Sequence, residues 1–281
     1  MTNAMEAGKS GVPIRINRVS KVFGEDSDSP FQALKRVTID IDAGEFVSVV
    51  GPSGCGKSTL MLMVAGLLNR SAGEIVIGGS PVKGPITDVG IAFQDHLLLE
   101  FRTALDNVML HADLRKLPRK PLENRAKDLF AQLRLTAAMD KYPRQLSGGM
   151  RQRVSLIRTL VHEPSLLLMD EPFGALDALT RLQVRTDLEA LWLRRRQTVL
   201  FITHSVEEAV GLSDRILVMS PSPGEVVEDI RVELPRPRPI VLGDVKEFSA
   251  YVDRIHHHFE RLGVLHGIDM PTLATGSEVF T

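Results

Sequence analysis

Residues 45–58 read E-F-V-S-V-V-G-P-S-G-C-G-K-S, an apolar run that breaks into glycines, a lysine and a serine. Residues 51–58 satisfy G-x-x-x-x-G-K-[ST] in full. They follow a strand-like stretch and precede a helix-like run over residues 59–68, the context that turns the pattern into a phosphate site. Glycines let successive backbone N–H groups turn inward around phosphate oxygens. A helix N-terminus adds roughly half a unit of positive charge. Lys57 is expected to reach the β- and γ-phosphates, and the Ser58 hydroxyl to ligate Mg²⁺. Gly51, Pro52, Ser53, Gly54, Cys55, Gly56, Lys57, Ser58 and Thr59 form the expected nucleotide-binding turn.

Working outward, residues 14–16 and 37–41 alternate apolar and polar side chains as half-buried strands do. A polar loop over 24–30 separates them. Residues 74–77 read as a further strand, closed by Gly78 and Gly79. From residue 97 to 160 the texture is helical: Leu122, Ala126, Leu129, Phe130 and Leu133 recur at intervals of three and four. Two β-like runs, 166–169 and 199–202, bracket another helix, and 216–219 supplies one more strand. Strands alternating with helices predict a parallel sheet covered on both faces. The predicted division is a tail over 1–13, a core made of 14–96 and 156–225, an inserted helical subdomain over 97–155, and a C-terminal extension over 226–281. Pro221, Pro223, Pro235, Pro237 and Pro239 mark a boundary or extended linker, because proline continues neither a helix nor a central strand. Beyond it a short helix and a loose tail are expected.

Residues 166–171, L-L-L-M-D-E, read as a buried strand ending in two carboxylates. Beside a phosphate loop, Asp170 suits a Mg²⁺ role. Neighbouring strand residues point to opposite faces, so the acids need not share one task. Glu171 is placed to orient or deprotonate an attacking water.

Composition narrows the class. The 281 residues carry 34 basic and 35 acidic side chains, so no overall basic field argues for nucleic acid. One cysteine, Cys55, excludes an internal disulfide framework and fits a reducing compartment. No apolar run approaches the ~20 residues that span a bilayer, so a membrane role requires a partner. The first eleven residues lack the apolar stretch of a signal peptide, which predicts a cytoplasmic protein. Cys55, beside Lys57, is expected to block ATP when alkylated unless the loop shields it. Arg194, Arg195 and Arg196 read as a solvated helix end, and consecutive His256, His257 and His258 do not share a helical face.

The ordered set of residues 51–58, Gln94, L-S-G-G-M at 146–150, 166–171, G-A-L-D at 174–177 and His204 resembles the nucleotide-binding subunit of an ATP-binding cassette (ABC) transporter. The resemblance covers about residues 14–240. It implies an α/β P-loop NTPase with a RecA-like core, an antiparallel β subdomain and an inserted α-helical subdomain. It implies ATP and Mg²⁺ as cofactors and a head-to-tail homodimer with two ATP molecules between the chains. Each nucleotide would lie on one chain's phosphate loop and under the other's signature segment. There Ser147 donates to the γ-phosphate, Gly148 and Gly149 allow close backbone approach, and a helix beginning near Met150 aims its positive end at the same charge. Arg151 and Arg153 either add nearby cations or form a solvated helix face.

By the same resemblance Gln94 senses Mg²⁺ and water, and His204 contacts the γ-phosphate. Asp177 faces the opposite subunit, and Phe23 stacks on adenine, with Phe31 close by as the other candidate. Two departures stand out: Met150 where many members have glutamine, and Asp95-His96 where the second place is often proline. The implied partners are permease subunits and, indirectly, a periplasmic or lipid-anchored solute-binding protein, at the cytoplasmic face of a bacterial membrane. Residues 97–102 either receive a permease helix or form subdomain core. Residues 94–108, 146–153 and 232–237 resemble the importer branch for nitrate, aliphatic sulfonates and taurine. The rival readings are an exporter subunit, a soluble ABC ATPase acting on nucleic acid, and a P-loop kinase. The nucleic-acid reading lacks a second phosphate loop, zinc-ligand cysteines and heptads. The kinase reading leaves Ser147 and His204 unexplained.

Overall fold

In a computed structural model, residues 11–174, 176–240 and 245–265 are described. β1 (Ile14–Phe23) and β2 (Phe31–Ile41) form an antiparallel hairpin around the polar loop. β3 (Phe46–Val50) is buried at every position, as a central parallel strand should be, and runs into the glycine loop and α1 (Lys57–Val64). α1 is shorter than the periodicity predicts and starts earlier, because Lys57 already follows a left-handed Gly56. β4 (Ala72–Ile77) and β5 (Ser80–Pro81) return to the hairpin, giving a four-stranded antiparallel sheet in the order β2-β1-β4-β5.

β6 (Val89–Ala92) leads into the helical insertion: α2 (Ala104–Val108), α3 (Leu110–Arg115), α4 (Arg119–Gln132) and α5 (Gly148–Leu160). β7 (Leu166–Asp170), α6 (Ala178–Arg195), β8 (Thr198–Ile202), α7 (Val206–Leu212) and β9 (Arg215–Met219) complete the core. The second sheet runs β10-β9-β3-β8-β7-β6, where β10 is Val226–Arg231 and all neighbours except β10 and β9 are parallel. The last described element is α8 (Lys246–Arg261).

Two apolar layers sandwich this sheet. Leu60, Met61 and Val64 of α1 pack with the antiparallel sheet on one face, while Phe173, Trp192 and Phe201 join the helical subdomain on the other. A third cluster joins α7, β10 and α8 through Val210, Ile230, Phe248 and Ile255.

The stretch after Ser220 differs from the predicted linker. β10 pairs antiparallel with β9 as the edge of the core sheet, so residues assigned to an extension belong to that sheet. The proline-arginine segment that follows is a strap held by buried charge. Arg236 donates to Glu189 at 2.7 Å and to Asp214, and its guanidinium lies 4.6 Å from the centre of the Trp192 ring. Arg238 is 4% exposed and donates to the Val210 and Ser213 carbonyls, and its backbone N–H reaches Glu189. Prolines set the extended path, and the arginines between them fasten it. Glu189→Ala breaks the buried pair with Arg236 and leaves the buried Arg238 N–H without its acceptor, and is expected to cost ~3–5 kcal/mol. A urea titration reads that cost as a lower midpoint at constant slope. A loss below ~1 kcal/mol, the range of exposed pairs, would mean that the strap's charges are solvated.

The three-arginine helix end is likewise engaged. Arg194 donates to Gln132 and Arg195 pairs with Glu163, both at 2.7 Å, and Arg196 covers the Trp192 ring at 4.3 Å. Periodicity reports a helix end but not what packs over it. In α8, His257 Nδ1 lies 3.4 Å from Glu260 Oε2 and His258 Nε2 3.6 Å from Glu228 Oε2.

Candidate functional site

Parallel strands deliver their chemistry at one edge, because every loop that leaves a carboxyl end emerges on the same side. β3 supplies the glycine loop, β8 leads to His204, β7 to Asp170 and Glu171, and β6 to Gln94, and these four strands are neighbours in that order. In the loop, Gly56 has φ 100° and caps α1. A Cβ there would lie 2.7 Å from Leu34 and 3.0 Å from the Ala33 carbonyl, so both conformation and space require glycine.

Lys57 is 6% exposed, and its Nζ donates to the carbonyls of Gly51 at 2.8 Å and Pro52 at 2.9 Å. The ammonium is thus folded back on its own loop. The Cys55 thiol is fully buried, and burial pushes its pKa up, with Lys57 opposing. The loop therefore shields the thiol. Alkylation of native protein with N-ethylmaleimide at neutral pH is expected to be far slower than alkylation of urea-unfolded protein. Equal rates would contradict a closed loop.

Asp170 ends β7 beside the Ser58 hydroxyl. Burial pushes its carboxyl pKa up, the Ser58 hydroxyl opposes this, and the Glu171 charge adds to it. Glu171 leaves the strand with φ 45°, a left-handed conformation rarely adopted by a non-glycine residue. Such strain costs ~1–3 kcal/mol and concentrates at functional sites. The direction of Glu171 is therefore set by this turn and not by the strand pleat. Its N–H still donates to the Ile202 carbonyl at 2.8 Å, and its Oε2 lies 3.1 Å from His204 Nδ1. A Cβ placed on Gly174 would stand 3.9 Å from Glu171 Oε2 and 4.0 Å from Gln94 Nε2. Gln94, Glu171 and His204, far apart in sequence, converge around one turn.

α5 begins at Gly148, two residues before Met150. Ser147 is its N-cap, accepting from the Met150 N–H at 3.3 Å. The cap uses an acceptor lone pair, so the hydroxyl proton stays free to donate. The two glycines do different things. A Cβ on Gly148 would meet nothing within 4 Å, whereas one on Gly149 would fall 2.6 Å from Thr180 of α6. Gly148 leaves an open approach, and Gly149 permits internal packing. Asp177 caps α6 by accepting from the Thr180 N–H at 3.0 Å.

Residues 34–174 match the family described as ABC transporter. The chain belongs to the ABC transporter family. An uncharacterized ABC transporter ATP-binding protein of Methanocaldococcus jannaschii is 41% identical over 81% of this chain and 85% of that protein. The aliphatic sulfonates import ATP-binding protein SsuB of Bacillus cereus is 41% identical over 80% of this chain and 88% of that protein. Among solved structures, the dimeric post-hydrolysis state of the ATP-binding cassette MJ0796 bound to ADP and Pi superposes with a TM-score of 0.69. It is 30% identical and covers 79% of this chain and all of that one. The chain is an ATP-binding, ATP-hydrolysing cassette of the P-loop fold.

Other residues of the cassette fall where sequence spacing could not place them. The β1–β2 register sets Phe23 opposite Phe31, both exposed at the hairpin's end, with Lys21 Nζ 5.0 Å from the Phe23 ring centre. Arg151 is neither a free cation nor a solvated face; it donates to the His96 ring and to the Leu146 carbonyl. The stretch after Gln94 divides its labour. Leu98 is core, Leu97 and Phe101 are exposed, and Leu97 lines a groove of about 340 Å³ with Ile91, Phe93, Leu110 and Leu114.

A buried Glu208 accepts from Thr203, directly before His204, and pairs with Arg181, which also donates to the Leu176 carbonyl. This links the turn before Asp177 to the turn before His204. The S-x-x-E pattern over 205–208 marks Glu208 as a helix-start residue, its N–H donating to the Ser205 cap, but the Arg181 pairing comes from another helix and is invisible in sequence.

Proposed function

We propose that this cassette powers import of a small solute of the nitrate, sulfonate or taurine class. In this reading a head-to-tail homodimer docks on membrane permease subunits at the cytoplasmic face of a bacterial cell membrane. A periplasmic or lipid-anchored binding protein delivers the solute. The likeness to sulfonate import subunits over four fifths of the chain carries the choice of importer over exporter. No helix among the described residues is long and apolar enough to cross a membrane, and the groove beside Leu97 and Leu114 suits an apolar helix offered by a permease.

The residues present fit a Mg²⁺ ion. The Ser58 hydroxyl adjoins the Asp170 carboxylate, and Gln94, whose side-chain amide reaches the Gly174 turn, has an amide oxygen to offer. All three are the hard oxygen donors that the ion prefers. Among the described residues no three His, Cys, Asp or Glu side chains gather as a metal site, which fits an ion that takes its remaining ligands from water and substrate phosphates. When bound, the ion would neutralise charge on the β- and γ-phosphate oxygens.

Hydrolysis then needs positioning and charge more than covalent chemistry. Lys57 exchanges its loop carbonyls for phosphate oxygens, and backbone N–H groups of residues 51–59 cradle the rest. Phe23, or its neighbour Phe31, stacks on adenine. Glu171 accepts the proton of the attacking water, held in place by its contact with His204, which also reaches the γ-phosphate. Ser147 and Gly148 of the other chain close the site, with Asp177 at the contact between chains. The transport test uses vesicles carrying the cassette, its permease and the binding protein, with ATP on the cassette side. ATP-dependent sulfonate uptake toward the cassette side is expected, and ATP-driven movement away from it would establish an exporter.

A further inference from the structure

We propose that His96 is a positioning residue that, through Arg151, ties the Gln94 segment of a cassette's own site to the Ser147 helix tip offered to its partner. The inference rests on the shared-site reading above. His96 lies two residues beyond Gln94, and its Nε2 accepts from Arg151 Nε at 2.9 Å. The same guanidinium donates to the Leu146 carbonyl at 2.8 Å and the Pro143 carbonyl at 3.5 Å, the residues leading into Ser147. One planar fork therefore holds both segments, a geometry that guanidinium provides and a point-like ammonium does not.

Two helical turns further along α5, Arg158 donates to the His96 carbonyl at 2.9 Å and the Leu97 carbonyl at 2.7 Å. That second clamp uses only backbone acceptors and does not depend on the residue at 96. The Arg151 bond does. A guanidinium can only donate, so His96 Nε2 is the acceptor of this bond and the ring carries its proton on Nδ1. Nδ1 is buried and has no hydrogen-bond partner among the described residues. The inward ring orientation thus forgoes one hydrogen bond while keeping the bond to Arg151.

Because Ser147 caps the same helix, α5, that carries both Arg151 and Arg158, displacement of the Gln94 turn is passed to the signature turn. A cassette would thereby report the state of its own nucleotide to the site it shares with its twin.

Full-length His96→Leu, His96→Gln, Arg151→Leu and His96→Leu/Arg151→Leu chains test this by steady-state ATP hydrolysis at neutral pH. His96→Leu is expected to lower kcat about 5–20-fold, the range of a moderate coupling between sites, with KM for ATP nearly unchanged. His96→Gln, whose amide oxygen can accept from the guanidinium, is expected to recover most of the rate. The double variant should be no slower than Arg151→Leu alone. An unaltered kcat in His96→Leu, a glutamine variant as slow as the leucine one, a loss confined to KM, or additive losses would each overturn the link.

Should His96→Leu fail to fold, His96→Gln and Arg151→Leu carry the test: the first near wild type, the second lower in kcat alone. Solution mass of the Glu171→Gln chain with ATP and Mg²⁺ separates the two levels. A dimer with a flat His96 series refutes only the link, and absence of a dimer refutes the shared site itself.

Discussion

Glu171→Gln is expected to lower kcat for ATP by ~10²–10⁴-fold, the contribution of a positioned general base, while ATP binding persists. Glutamine keeps the side chain's length and branching, so the left-handed backbone at 171 is no more strained than with glutamate. The amide can still hydrogen-bond His204 across the 3.1 Å contact. What it loses is the ability to take a proton from water. Asp170 and the Lys57 loop are untouched, so affinity for the nucleotide should hold. The measurement is steady-state hydrolysis beside equilibrium binding of a fluorescent ATP analogue. A variant that retains wild-type turnover would place the base elsewhere.

An equally large effect is expected when Ser147→Arg and Lys57→Ala chains are mixed. Each alone should be nearly inactive, because stabilising groups supplied in trans are worth ~10³–10⁵ in related phosphoryl-transfer enzymes. A heterodimer combines both lesions in one site and leaves the other whole, so mixing should restore hydrolysis above the sum of the separate chains. Both variants are compatible with folding. Ser147 and Gly148 are exposed, and loss of the Ser147 cap costs only ~0.5–2 kcal/mol. Among the described residues Lys57 bonds only carbonyls of its own loop and the adjoining thiol. A mixture no more active than its parts would mean that each chain works with its own residues.

What the sequence makes legible depends on whether a feature is local. The glycine loop can be read outright because its strand, turn, lysine and hydroxyl are contiguous, and the parallel strands announce themselves as continuous apolar runs. Helix starts are less legible: α5 begins at Gly148 because Ser147 can cap it, which outweighs the low helix propensity of two glycines. The purpose of Gly149 is invisible, since the Thr180 methyl that needs the space is brought there by a different helix. β10 is masked by the prolines before it and by three charged residues among its six, its positions alternating between covered and exposed as suits an edge strand. Arg151, Arg236 and Arg238 look like surface cations in sequence, and only the fold supplies their acceptors.

The central claim is that two identical cassettes complete each other's sites, and trapping tests it most directly. Glu171→Gln chain, incubated with ATP and Mg²⁺, is to be sized by light scattering after gel filtration. The account predicts twice the mass of one chain, reverting to a single chain when Ser147→Arg is added to the same variant. A single-chain mass with ATP bound, or a dimer indifferent to Ser147→Arg, would contradict it.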